Sequence, residues 1–108
     1  MNNKIIIAVD AMGGENSPKK IVDGIELSLK ESNENFFKLY GNKDKLNFLI
    51  NKKTKIKDYC EIIHCDDHIA DEESPLSAAK KSKTTSMWQA IESQNIGKSQ
   101  ITLSAGNT

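Results

Sequence analysis

Arginine is missing from this chain: all fifteen basic residues are lysines, and fifteen acids bring the formal net charge to zero. With no net field, electrostatics alone draws the chain towards neither nucleic acid nor an anionic membrane. Long apolar runs are missing as well. No window nears the roughly 18 to 20 apolar residues that a spanning helix needs, and the start Met-Asn-Asn-Lys-Ile-Ile-Ile lacks the longer apolar core and cleavage site of a signal peptide. The expected location is the cytoplasm. Internal repeats and low-complexity linkers are also lacking, while the 37% apolar content is enough for a modest core. At 108 residues the ceiling is one small domain. Cysteine is limited to Cys60 and Cys65, whose odd spacing in a strand-like run points them to opposite faces. They are expected to be unpaired, reduced core thiols.

What is present alternates between strand and helix signals. Ile5-Ile6-Ile7-Ala8-Val9 is an apolar, β-branched run without alternation, as in a parallel strand buried on both faces. Ser17-Pro18 then reads as an N-cap with proline at the first helical position, so a helix is expected from Pro18. Ile21, Val22, Ile25 and Leu29 supply its apolar stripe. Phe36 to Tyr40, closed by Gly41-Asn42, reads as a second strand, and Leu46, Leu49 and Ile50 mark a short second helix. The Lys-rich stretch from Asn51 to Asp58 is expected as a solvated loop, and Tyr59 to Cys65 as a third strand. An acidic loop, Asp66 to Glu73, leads to Ser74-Pro75, where a third, interrupted helical region runs through Lys83 into Met87, Trp88 and Ile91. Gly97 ends it, and Gln100 to Leu103 forms a fourth strand. This order implies an α/β fold: βαβ units forming a parallel sheet with helices on both faces.

Ligands of such sheets gather at the carboxyl ends of the strands, where two glycine-bearing loops fall, Asp10 to Ser17 and Ser104 to Thr108. Glycines before a helix N-terminus let backbone N–H groups approach anionic oxygens, and the helix end adds partial positive charge. Phosphate is the natural ligand, although Gly13-Gly14 could equally make only a tight turn. The candidate binding residues are Gly13, Gly14 and Asn16 in the first loop and Ser104, Gly106, Asn107 and Thr108 in the second. Asp10 and Asn107 are the candidates for a catalytic role, with Asp10 able to orient a loop amide, bind a cation or act as an ordinary strand-end carboxylate. His64, Asp66, Asp67 and His68 lack a characteristic ligand spacing, so no metal site is expected. No G-x-S-x-G elbow or Cys/His arrangement marks a covalent nucleophile.

Ile7-Ala8-Val9-Asp10-Ala11-Met12-Gly13-Gly14, followed by Asn16 and Pro18, resembles the opening signature of the PlsX family of phosphate acyltransferases. Leu39-Tyr40-Gly41-Asn42 is similar to the family's second motif. Ser74-Pro75 with Ala78, Lys80, Lys81, Lys83 and Ser86-Met87 resembles its third, and Ser104-Ala105-Gly106-Asn107-Thr108 its fourth. Lys80 and Lys81 stand where arginine is common in the family, and so replace a planar two-bond grip with a point charge. The resemblance implies a fold similar to phosphotransacetylase and isocitrate dehydrogenase, and a homodimer loosely attached to the membrane. It also implies transfer of a fatty acyl group from acyl carrier protein to inorganic phosphate, without a cofactor. The resulting acyl phosphate would feed a membrane-bound glycerol-3-phosphate acyltransferase in phospholipid synthesis. Residues 1–108 would then be the amino-terminal part of a single acyltransferase domain cut after Ser104 to Thr108, inactive and poorly stable alone. Two rivals stand beside this reading. One is an actin-like kinase, whose Gly-Gly loop would continue into an antiparallel strand; the other is a non-catalytic module that binds acyl carrier protein.

Overall fold

Ile7 and Val9 alternate with Ala8 and Asp10 along β1 (Ile5–Asp10), and all four are buried, so both faces of this strand are covered. The computed structural model describes residues 4–68, 76 and 82–104. After β1 come α1 (Lys19–Glu31), β2 (Asn35–Gly41), α2 (Lys43–Asn51), a 3-10 turn (Thr54–Tyr59) and β3 (Cys60–His64). A second 3-10 turn (Ser82–Thr84) then leads into α3 (Ser86–Asn95) and β4 (Ile101–Ser104). The four strands form one parallel sheet in the order β3-β2-β1-β4. The α/β expectation therefore holds. Among the described residues no helix is long and apolar enough to cross a membrane.

One face of the sheet carries Ile7, Val9, Phe37 and Leu39, packed under Val22 and Ile25 of α1 and Leu46 and Ile50 of α2. The other face carries Ala8 and Tyr40, packed with Cys65 and with Ala90 of α3. Ala8 and Ala90 are small, so α3 can lie close to β1 and reach its carboxyl end. Gly41 closes β2 without a side chain because a Cβ there would come within 2.8 Å of Met12 Cγ. Met12 thereby folds the loop after β1 against the end of β2, which a backbone bond from Ala11 N–H to the Tyr40 carbonyl (3.0 Å) reinforces.

Two local expectations are corrected. Helix α1 begins at Lys19 with Pro18 in the cap position and no side-chain cap. The Ser17 hydroxyl instead donates back to the Gly13 carbonyl at 2.5 Å, so it cannot serve the helix. The Lys-rich stretch is not simply a solvated loop: its 3-10 turn buries Ile56 to 1% exposure in the core under α1 and α2. Lys53 at its start bridges Asp23 (3.1 Å) and Glu26 (2.9 Å) on α1. The apolar anchor, hidden among lysines, decides the conformation. Ser74-Pro75 and the start of the third helical region lie outside the described residues, while α3 is capped by Thr85, whose Oγ1 accepts from Trp88 N–H at 3.2 Å. Gly97, at φ 83°, ends α3: Lys98 N–H returns to the Ser93 carbonyl and Gly97 N–H to that of Gln94.

The Lys53 bridge has a defined pH window. Hydrogen bonds from Lys19 and then Lys53 lower the Asp23 pKa, and that from Lys53 lowers Glu26, from ordinary values of 3.8 and 4.5. Groups with depressed folded pKa values contribute stability above their unfolded values and lose it as pH falls through the folded ones. Lys53 is raised from 10.5, chiefly by Glu26 and then Asp23, so its contribution lasts until pH climbs above that value. Lys53→Met should therefore lower the urea midpoint slightly at pH 7, and progressively less as pH falls through the lowered carboxyl values. Salt should shrink the effect, because all three groups are solvated.

Cys60 and Cys65 are both free and belong to opposite faces of the sheet, as their spacing implies. Burial pushes both thiols up to about 11, helped at Cys65 by the charges of Asp10 and Asp66. At pH 8 the native protein should react with iodoacetamide far more slowly than after denaturation in urea, because the thiolate is the nucleophile. Equal rates by mass spectrometry would contradict this burial.

Candidate functional site at the strand ends

From β1 the chain steps outward to β2 and β3, then crosses to the opposite side of β1 to place β4. The direction of winding therefore reverses between β1 and β4, and loops leaving these neighbours diverge to open a crevice at their carboxyl ends. Asp10 and Ser104 end the two strands as register partners. The Ser104 hydroxyl donates to Asp10 Oδ2 at 3.0 Å.

Asp10 is 1% exposed, and its other oxygen is equally engaged. Oδ1 accepts from Met12 N–H (3.2 Å) and from the Ser86 hydroxyl (2.5 Å) at the first residue of α3. The carboxylate thus lies at the positive end of the α3 dipole, which offsets the cost of burying its charge. Ser86 is itself fully buried and is held through its N–H by the Asp67 carbonyl at 3.0 Å. Sequence reasoning left Ser86 out of the site because its partner is 76 residues away. The available signal was a serine at the head of an apolar helix inside the third motif.

The loop from Ala11 to Pro18 turns tightly, with positive φ at Gly14 (89°) and Asn16 (64°). Asparagine is among the few non-glycine residues that occupy this region readily. Gly13 is buried, Gly14 half-buried and Asn16 exposed. Gly14, Ser17 and Ser104 share the lining of a cavity of about 550 Å³ that extends under α1 past Ile21 and Ile25 and beside Leu103. Of the candidate residues, Asp10, Gly13, Gly14, Asn16 and Ser104 lie at the same end of the sheet. Gly106, Asn107 and Thr108 fall outside the described residues. His64 and Asp67 have structural partners instead: His64 Nδ1 accepts from Lys43 N–H (3.1 Å) and its Nε2 meets Asp66 Oδ1 (3.2 Å), while Asp67 Oδ2 accepts from Thr84 Oγ1 (2.7 Å).

Residues 5–108 match the family described as "Fatty acid synthesis protein". The chain belongs to that family. Curated relatives agree along its length. A "Phosphate acyltransferase" of Pelagibacter ubique is 48% identical over 108 residues, covering all of this chain and 32% of the relative. One of Roseobacter denitrificans is 33% identical over 105 residues, covering 97% of the chain and 29% of the relative. One of Streptococcus mutans is 38% identical over 102 residues, covering 94% and 30%. The chain spans about a third of the length of these relatives of the fatty acid synthesis protein family. The resemblance drawn from the four motifs is therefore confirmed. The kinase alternative loses its structural basis, since the residues after Gly13-Gly14 lead into α1 and every strand pair among the described residues is parallel.

Proposed function

We propose that this chain is the amino-terminal third of a phosphate acyltransferase that transfers a fatty acyl group from acyl carrier protein to inorganic phosphate. The observation that carries the reading is the match to relatives bearing that name over 94 to 100% of this chain, joined to a glycine loop at the switch point of the sheet. In the reaction a phosphate oxygen attacks the thioester carbonyl carbon. The carbon–sulfur bond then breaks, the carrier thiol leaves as thiolate and takes a proton, and acyl phosphate remains. No electrons are exchanged, so the step calls for no redox cofactor.

Backbone N–H groups around Gly13 and Gly14 and the start of α1 hold the phosphate, and the Ser104 to Thr108 motif, Asn107 included, is assigned to the same phosphate and acyl-phosphate pocket. Positioning and charge stabilisation carry the rate without a covalent enzyme intermediate. The protein works as a cytoplasmic homodimer loosely attached to the membrane, where a glycerol-3-phosphate acyltransferase consumes the product. A longer chain is supported by the open α1-side face of β4, where Leu103 is 50% exposed and Ile101 41%. A parallel edge strand of this kind is ordinarily covered by a further helix.

The test is to supply the full-length protein with acyl carrier protein charged with a fatty acid, and with either inorganic phosphate or ATP. Release of carrier thiol should saturate with phosphate and yield a hydroxylamine-trappable acyl phosphate. Saturable consumption of ATP with no dependence on phosphate would overturn the reading.

A further inference from the structure

We propose that Ser86 is a positioning residue for the phosphate site, acting through Asp10; this rests on the function proposed above. At 1% exposure Asp10 is out of reach of a bound ligand, and its charge would repel a phosphate in contact with it. What it does hold is both borders of the crevice. Met12 N–H opens the glycine loop, and the Ser104 hydroxyl opens the loop after β4.

The third donor, Ser86, comes from outside the crevice. Its hydroxyl is not spent on capping α3, because Thr85 supplies that bond to Trp88 N–H. Nor is it anchored by chance, since its own N–H is tied to Asp67 and its side chain is fully buried. Fixed in this way, the hydroxyl sets the rotation of the Asp10 carboxylate. The carboxylate in turn accepts the hydrogen bond of the Ser104 hydroxyl, which ties the end of β4 to β1. Occupation of the α3 N-terminus by Asp10 also assigns the ligand anion to the loop before α1. Without Ser86, Oδ1 keeps, among the described residues, only the 3.2 Å bond from Met12, and the carboxylate that joins the two borders is held less firmly.

Ser86→Ala in the full-length protein should raise the KM for inorganic phosphate about tenfold, the scale of one hydrogen bond to a charged group. The kcat at saturating phosphate should fall by less than the phosphate KM rises, because saturation refills a displaced site. In the ligand-free protein, amide exchange at Met12 and Ser104 should quicken. Asp10→Asn combined with Ser86→Ala should cost no more than Asp10→Asn alone, because both act through one carboxylate. If Ser86→Ala does not fold, Ser86→Cys keeps the size with a weaker donor and should show the same pattern at smaller scale. An unchanged phosphate KM with only a lower Tm, unaltered exchange at Met12 and Ser104, or additive losses would each overturn the proposal. Absence of phosphate-dependent transfer in the unmutated protein would instead count against the proposed function, and exchange at Met12 and Ser104 would still decide the positioning role.

Discussion

Asp10→Ala is expected to destabilise the protein by about 3–5 kcal/mol and to abolish phosphate-dependent acyl transfer. Three donors lose their acceptor at once: Met12 N–H, the Ser86 hydroxyl and the Ser104 hydroxyl. Met12 and Ser86 are buried, and each buried donor left unsatisfied costs about 1–3 kcal/mol, whereas the Ser104 hydroxyl, on an exposed residue, adds less. The removed carboxylate also leaves a gap where β1, α3 and β4 meet. Urea unfolding measures the stability loss, and Asp10→Asn, which keeps the volume and one acceptor, should fall between the two. A midpoint unchanged from the parent would mean that the carboxylate does not join these elements.

Gly14→Val should cost about 1–3 kcal/mol from backbone strain alone, since φ is 89° and a β-branched residue is poorly accommodated there. It should also place methyl groups on the wall of the 550 Å³ cavity and abolish measurable phosphate saturation. Gly97→Val separates strain from site. Gly97 sits at φ 83° with nothing within 4 Å of an added Cβ, at the far end of α3. It should lose similar stability while keeping the phosphate KM. Equal effects of the two variants on phosphate saturation would show that Gly14 matters only for folding.

The fold was legible where one local signal decided the outcome. The unbroken Ile5 to Val9 run and the Ile21, Val22, Ile25 and Leu29 stripe predict a buried parallel strand and its covering helix, and both form. Legibility failed where a tertiary contact outweighed composition. Ile56 turns a lysine-rich stretch into a packed 3-10 segment, and Ser17 spends its hydroxyl on Gly13 rather than on capping α1. The glycine loop was visible as a candidate site because glycines between strand and helix have a direct physical use. Ser86 was not, because nothing local to residues 82–90 shows that a strand-end carboxylate 76 residues earlier will be its partner. Strand order was equally hidden: that β4 joins β1 rather than β3, which creates the switch point, depends on how the faces pack.

Hydrogen–deuterium exchange of the full-length protein with and without saturating inorganic phosphate tests the central claim most directly. Phosphate should slow exchange in residues 11–20 and 104–108 together, with little change around α2 and the Lys43–His64 contact. Protection confined to other parts of the molecule, with both loops unaffected, would contradict a phosphate site at the β1–β4 switch point.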